Sequence, residues 1–261
     1  MGILNVTPDS FSDGNRFFFP EKAVERALAM EADGADIIDI GGESTRPNAP
    51  PVSAEEELRR VVPVVECLAG RLGIPISVDT TKAVVAEAAL AAGAEIINDV
   101  SAMTFDARMA GVIAAAGAGV VLQHTRGTPV EMQHDTSYGD LVGEVTRFLE
   151  DAIRRARQAG ITDGQMVVDP GIGFGKDCAG NLEILRRLDE FSSLGRPILV
   201  GTSRKAFIGK VLDRGVDDRL FGTAATVALA LVNGATVFRV HDVRAMRDVA
   251  YMSRAIVQGI R

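Results

Sequence analysis

The chain has 261 residues, 47% of them hydrophobic, and a formal net charge of −7. That length supports one large core or two small ones, and the acidic balance argues against a nucleic-acid partner, whose binders carry a basic face. No stretch approaches the roughly 20 apolar residues of a membrane span, no signal-peptide pattern opens the chain, and Cys67 and Cys178 lie outside any CxxC or Cys/His cluster, which points to a reducing cytoplasm and away from zinc.

In chain order, an apolar run at Ile3–Val6 is read as the first strand. "GADIID" (Gly34 to Asp39) is the second. A helix follows, with Leu58, Val61, Val62 and Val65 at i, i+3, i+4, i+7 spacing. Ser53 and Glu56 form a capping-box pattern at its start, and Pro63 inside it predicts a kink. "GIPISVD" (Gly73 to Asp79), "GAEIIN" (Gly93 to Asn98) and "GAGVVL" (Gly117 to Leu122) supply strands three to five. Met166–Asp169 is the sixth, "GRPILVG" (Gly195 to Gly201) the seventh and "GATVFR" (Gly234 to Arg239) the eighth. Leu220, Ala224, Val227 and Leu231 mark a helix before the eighth strand; Val243, Met246, Val249 and Ala250 mark the last.

Each Gly-Ala or Gly-x-Pro leads straight into a short β-branched run. Glycine ends a helix in the left-handed region, and a buried strand follows at once. Eight βα units without a break imply a parallel sheet covered by helices. Eight units in about 250 residues predict an α/β fold, a (β/α)8 TIM barrel, as a single domain over residues 1–261. An open doubly wound sheet is the alternative architecture.

Active sites of such barrels lie at the C-terminal strand ends. Those ends carry Asn5, Asp39 with "GGESTRP", Asp79, Asn98 with Asp99, Gln123 with His124, Asp169, "GTSRK", and Arg239 with His241. Singly, an Asp or Asn after a strand is commonly a turn former or N-cap, and Arg204 or Lys205 a solvated surface charge. Together they converge on one pocket. Asp79, Asn98 and Asp169 offer acceptors to a ligand edge rich in N–H donors, such as an amino-pyrimidinone. Arg46, Arg204, Lys205, Arg239 and His241 gather positive charge at the mouth of an acidic protein, as an anionic substrate group requires. Barrel closure sets Asn5 beside Arg239 and His241, a site suited to a phosphate group and its magnesium.

"MVVDPGIGFGKD" (Met166 to Asp177) looks like a nucleotide loop and fails both tests. A Walker A loop would need its first glycine at Pro170 and Ser or Thr at Asp177. A dinucleotide loop needs GxGxxG after the first strand of its unit, and here GxGxG follows the sixth. The glycines are read as allowing a tight turn and close approach to a ligand. Lys176 is read as the least important residue of the stretch.

"MGILNVTPDSFSDG", "GGESTRP", "SVDT", "IND", "DPGIGFGK", "SRK" and "RVHDV", in this order across nearly the whole chain, resemble the dihydropteroate synthase family. The resemblance implies a (β/α)8 barrel, homodimeric and magnesium-dependent. It implies condensation of 6-hydroxymethyl-7,8-dihydropterin diphosphate with 4-aminobenzoate to 7,8-dihydropteroate, releasing diphosphate, with sulfonamides competing at the aminobenzoate site.

By the same resemblance, Asp79, Asn98, Asp169 and Lys205 bind the pterin. Asn5, Arg239 and His241 take the diphosphate. Thr45, Arg46, Pro47, Phe174 and Ser203 form the aminobenzoate pocket. Phe11 and Asp13 lie on a mobile loop, and Asn5 and Asp13 meet magnesium. Asp79, Asp169, Lys205 and Arg239 are the expected catalytic set. Cations and magnesium at a leaving diphosphate favour a dissociative, SN1-like displacement with no covalent enzyme nucleophile, so Cys178 and Ser203 are read as non-nucleophilic. Asn15 and Gly180 depart from the family pattern, where glycine and histidine are common. The alternatives are a methyltransferase-type pterin barrel and a catalytically silent one. The former needs no paired "SRK" and "RVHDV"; the latter predicts losses among Asn5, Arg239 and His241, and none is lost.

Overall fold

Eight short parallel strands hydrogen-bond in chain order: β1 (Gly2–Asn5), β2 (Ile38–Gly41), β3 (Ile76–Asp79), β4 (Ile96–Asp99), β5 (Gly119–Gln123), β6 (Met166–Asp169), β7 (Ile198–Val200) and β8 (Ala235–Phe238). The computed structural model describes residues 1–7, 19–47 and 49–259. The two ends of the sheet meet. Gly2 bridges Val240 in parallel, and the amides of Ile3 and Val240 donate to the carbonyls of Val240 and Met1, each at 2.9 Å. The result is the expected (β/α)8 barrel.

The helices are α1 (Phe19–Ala32), α2 (Ala54–Leu68), α3 (Ala83–Ala91), α4 (Met109–Ala116), α5 (Leu141–Gln158), α6 (Cys178–Arg186), α7 (Ala206–Leu212), α8 (Leu220–Val232) and α9 (Val243–Gln258). Both α7 and α8 lie between β7 and β8, one helix beyond the eight-unit expectation. The glycines of all four Gly-Ala repeats, Gly34, Gly93, Gly117 and Gly234, have positive φ, as the helix-to-strand reading requires.

Two local readings change in α2. Ser53 Oγ accepts the Glu56 amide at 3.2 Å, but Glu56 turns to Arg59 and Arg60, so half of the capping box forms. The helix runs from Ala54 to Leu68 with Pro63 inside it. Its buried face is Glu57, Val61, Val64, Val65 and Leu68, which takes in Val64 where the sequence stripe has Val62.

Register defines the inner face. Asn5, Gly41, Asp79, Asn98 and Val121 form one row across β1 to β5, and Gln123 pairs with Asp169. Side chains alternate along a strand, so Asp39 and Ser77 share that inward face one layer down. Their neighbours Ile38, Ile40, Val78, Ile97, Leu122 and Val168 point outward and are fully buried against the helices. Burying each such side chain contributes about 1.5–3 kcal/mol. This apolar collar holds a polar ring facing the axis.

Candidate active site

The ring is knit by short contacts between strand ends. Asp39 accepts from Ser77 Oγ at 2.6 Å and Asn98 Nδ2 at 3.2 Å. Arg239, just beyond β8, donates through Nε to Asp39 Oδ2 at 2.5 Å and through Nη2 to Asp79 Oδ2 at 2.9 Å. One guanidinium thus ties β8 to β2 and β3. Asp79 and Asp169 are buried. Burial pushes the Asp79 carboxyl up to about 7 against the pull of Arg239. Burial also raises Asp169, opposed by Lys205 and by the Gly171 amide, which donates to Asp169 Oδ1 at 2.7 Å. Asn98 Oδ1 is buried without a hydrogen-bond partner among the described residues.

The cations divide in a way the sequence does not reveal. Lys205 reaches the Ile172 carbonyl, and its ammonium sits 4.8 Å from the centre of the Phe174 ring. Burial lowers Lys205 to about 8, with Asp169 opposing. His241 stacks its backbone amide and Nδ1 on Ser203 Oγ at 3.1 and 2.9 Å. Burial, then the fields of Arg239 and Arg204, lowers His241 to about 4. Arg46 is exposed, yet near enough to contribute to that lowering. Arg204 is not a free cation for substrate: it forms a two-point pair with Asp242 at 2.9 and 2.6 Å.

The stretch after β6 folds back on its own barrel. Gly171 and Gly173 both have positive φ; a β-carbon at Gly171 would collide with the His124 carbonyl oxygen, and one at Gly173 would press on Lys205 Cδ at 3.1 Å. The glycines therefore permit the tight turn and a close approach to the protein's own chain. Lys176 also changes rank. It is buried, and its Nζ contacts His124 Nδ1 at 2.9 Å, the Gly171 carbonyl at 2.9 Å and the Phe174 carbonyl at 3.0 Å. Burial lowers Lys176 to about 7, with Asp169 opposing. Far from being the least important residue, it is the hub of the loop. Asn181 Oδ1 accepts the Gly173 amide at 2.6 Å, and Tyr138 donates to the Gly175 carbonyl at 2.8 Å. Phe174, held this way, packs with Val100 and Met132.

The loop after β2 is anchored at both ends. Glu43 accepts the Val52 amide at 2.9 Å and pairs with Lys82, which also reaches the buried Glu57 at 2.5 Å. Arg60 donates to the Gly42 carbonyl at 2.8 Å. Between these anchors Thr45 is half-buried, and Arg46 and Pro47 are exposed. Phe11 and Asp13 lie outside the described residues. Asn5 ends β1 in register with Gly41 and Asp79.

The structure thus brings Asp79, Asn98, Asp169, Lys205, Arg239 and Phe174 to one rim, with Ser203 and His241 joined beside it. Asp39, absent from the expected binding set, is central: it accepts from Ser77, Asn98 and Arg239. Its signal was parity: it stands two residues before Gly41 on the same strand face as Asp79.

The profile of the family described as Pterin binding enzyme matches residues 1–241. This chain belongs to the pterin-binding enzyme family. Within it, the chain is 48% identical over 257 residues to the dihydropteroate synthase of Synechocystis, covering 98% of this chain and 89% of that one. The fold matches a dihydropteroate synthase from Clostridium difficile, crystallised in the presence of pteroic acid, with a TM-score of 0.93 and 47% identity over 98% of this chain and 95% of that one. It also matches the Xanthomonas albilineans dihydropteroate synthase with 4-aminobenzoic acid, with a TM-score of 0.93 and 45% identity over 99% and 92% of the two chains.

Proposed function

We propose that this pterin-binding barrel, taken over residues 1–261 as one domain, carries out the dihydropteroate synthase reaction at the rim just described. The chain is a transferase of folate biosynthesis. It joins 6-hydroxymethyl-7,8-dihydropterin diphosphate to 4-aminobenzoate, giving 7,8-dihydropteroate and diphosphate. One observation carries the residue assignment: buried Asp79, Asn98 and Asp169 ring the axis, with Arg239 paired to Asp79 and the Lys205 ammonium near enough to act on Asp169 through its field.

In this reading Asp169, Asp79 and Asn98 accept N–H groups of the pterin. Asn98 Oδ1, without a partner among the described residues, gains a donor. Arg239 and His241 receive the diphosphate, and the C–O bond to the pterin methylene breaks with its electron pair leaving on that group. The buried carboxylates stabilise the methylene cation left behind. Lys205 binds the pterin beside them, and the aminobenzoate, seated by Phe174, Ser203 and the Thr45–Pro47 loop, attacks through its amine nitrogen, forms the new C–N bond and releases its proton to solvent. Positioning supplies the remainder of the rate.

Magnesium fits what is present. This ion keeps several waters and needs only one or two protein oxygens beside substrate phosphates. Asn5, on the row of Gly41 and Asp79, would hold it together with Asp13. When bound, it would neutralise charge on the departing diphosphate.

Among the described residues no helix is long and apolar enough to cross a membrane, and Cys67 and Cys178 are both free thiols; we place the protein in the cytoplasm. We also assign a homodimer through α8 and α9, where Phe221, Tyr251, Met252 and Ile256 are exposed. A purely monomeric mass in light scattering would refute it.

The deciding experiment follows diphosphate release from purified protein with pterin diphosphate, magnesium and 4-aminobenzoate. Turnover is expected; absence of product would reject the assignment.

A further inference from the structure

Gln123 is the last residue of β5, in register with Asp169 on β6. Alternation puts it on the inner face, two residues beyond Val121, which itself pairs with Asn98. The side chain is 4% exposed, and its Nε2 has no hydrogen-bond partner among the described residues. Buried polar groups are rarely left in this state.

The nearby acceptors are engaged elsewhere. Asp79 takes Arg239, Asp39 takes Ser77, Asn98 and Arg239, and Asp169 takes the Gly171 amide. On the adjacent strand, Asn98 Oδ1 is the mirror case, a buried acceptor with no donor among the described residues. An orphan donor and an orphan acceptor on neighbouring strands, beside a carboxylate, complement a flat heterocycle that presents both N–H groups and acceptor atoms at its rim.

We infer that Gln123 is a specificity residue of the pterin pocket, its amide donating a hydrogen bond to the ring carbonyl or an imine nitrogen of the pterin. The inference rests on the pterin placement proposed above. A residue serving only to fill space would be replaced without loss by an apolar side chain of equal length. A donor would not, because the ring acceptor would then be buried unpaired.

The test is Gln123→Met, with Asp169→Asn as control. Binding of 6-hydroxymethylpterin is measured by calorimetry, KM for aminobenzoate by steady-state kinetics, and Tm by thermal denaturation. Gln123→Met is expected to weaken pterin binding about tenfold, leave the aminobenzoate KM within about twofold, and hold or raise Tm, since an unpaired buried donor is removed. If Asp169→Asn weakens pterin binding and Gln123→Met does not, the role of Gln123 is overturned. If neither variant weakens it, the pterin placement falls as well. Should Gln123→Met fail to fold, Gln123→Leu is read by the same measurements.

Discussion

Arg239 and Asp79 form a 2.9 Å ion pair across the mouth of the barrel. The carboxylate assigned to the pterin and the guanidinium assigned to the diphosphate thus satisfy each other in the free protein. On the proposed mechanism, the second arm of Arg239 would stay on Asp39 while the first is exchanged for substrate. Arg239→Ala is therefore expected to weaken pterin diphosphate binding about 10–100-fold while free pterin binds as well as before or better. Calorimetry with both ligands checks this; equal losses would contradict the assigned roles.

Asp39 holds Arg239 and Asn98 at once; truncating it takes the acceptor from Asn98 Nδ2 and leaves Arg239 with Asp79 alone. Removing one partner of a buried pair costs about 3–5 kcal/mol. Asp39→Ala is expected to show that loss in denaturant unfolding. Asp39→Asn, which retains an acceptor, is expected to lose less stability while still lowering kcat. A neutral effect of Asp39→Ala on stability would mean that the pairs with Arg239 and Asn98 contribute nothing to the fold.

Lys176 fixes the carbonyls on either side of the Phe174 turn. Replacing it with methionine leaves the Phe174 carbonyl without its donor, at about 1–3 kcal/mol, while the Gly171 carbonyl keeps the Phe174 amide at 3.1 Å. The expected kinetic signature of Lys176→Met is an aminobenzoate KM raised about tenfold, with the pterin diphosphate KM little changed. Parallel rises in both constants would indicate general loosening of the barrel.

His241 sets a pH dependence. Its folded pKa, about 4, lies below its ordinary 6.5. Between those values the unfolded chain binds more protons than the folded one, so stability falls as pH drops through this window. The wild-type Tm is expected to decline more steeply from pH 6.5 to 4 than that of His241→Asn. Superimposable Tm profiles would show that the imidazole is not held neutral by the fold.

The barrel was legible because its signals are local: Gly-Ala before each strand, and apolar runs of four or five residues. The inward polar residues Asp79, Asn98 and Asp169 were legible because two of them end strands and Asn98 stands one residue before the end of β4. What escaped depends on partners distant in sequence. Lys176 meets His124 across 52 positions, and Arg204 is claimed by Asp242 across 38, so neither pairing leaves a trace in local pattern. Asp39 and Gln123 are intermediate cases. Strand parity, once the register with Gly41 and Asp169 is known, places both on the inner face.

The burial of Lys176 gives the loop its own clock. In the closed loop the Lys176 nitrogen is buried and occupied by His124, Gly171 and Phe174. An acylating reagent reaches it only when those three contacts part. The rate at which Lys176 is modified, read by mass spectrometry, therefore counts the openings of the Phe174 turn, and a ligand stacked on that ring slows the count.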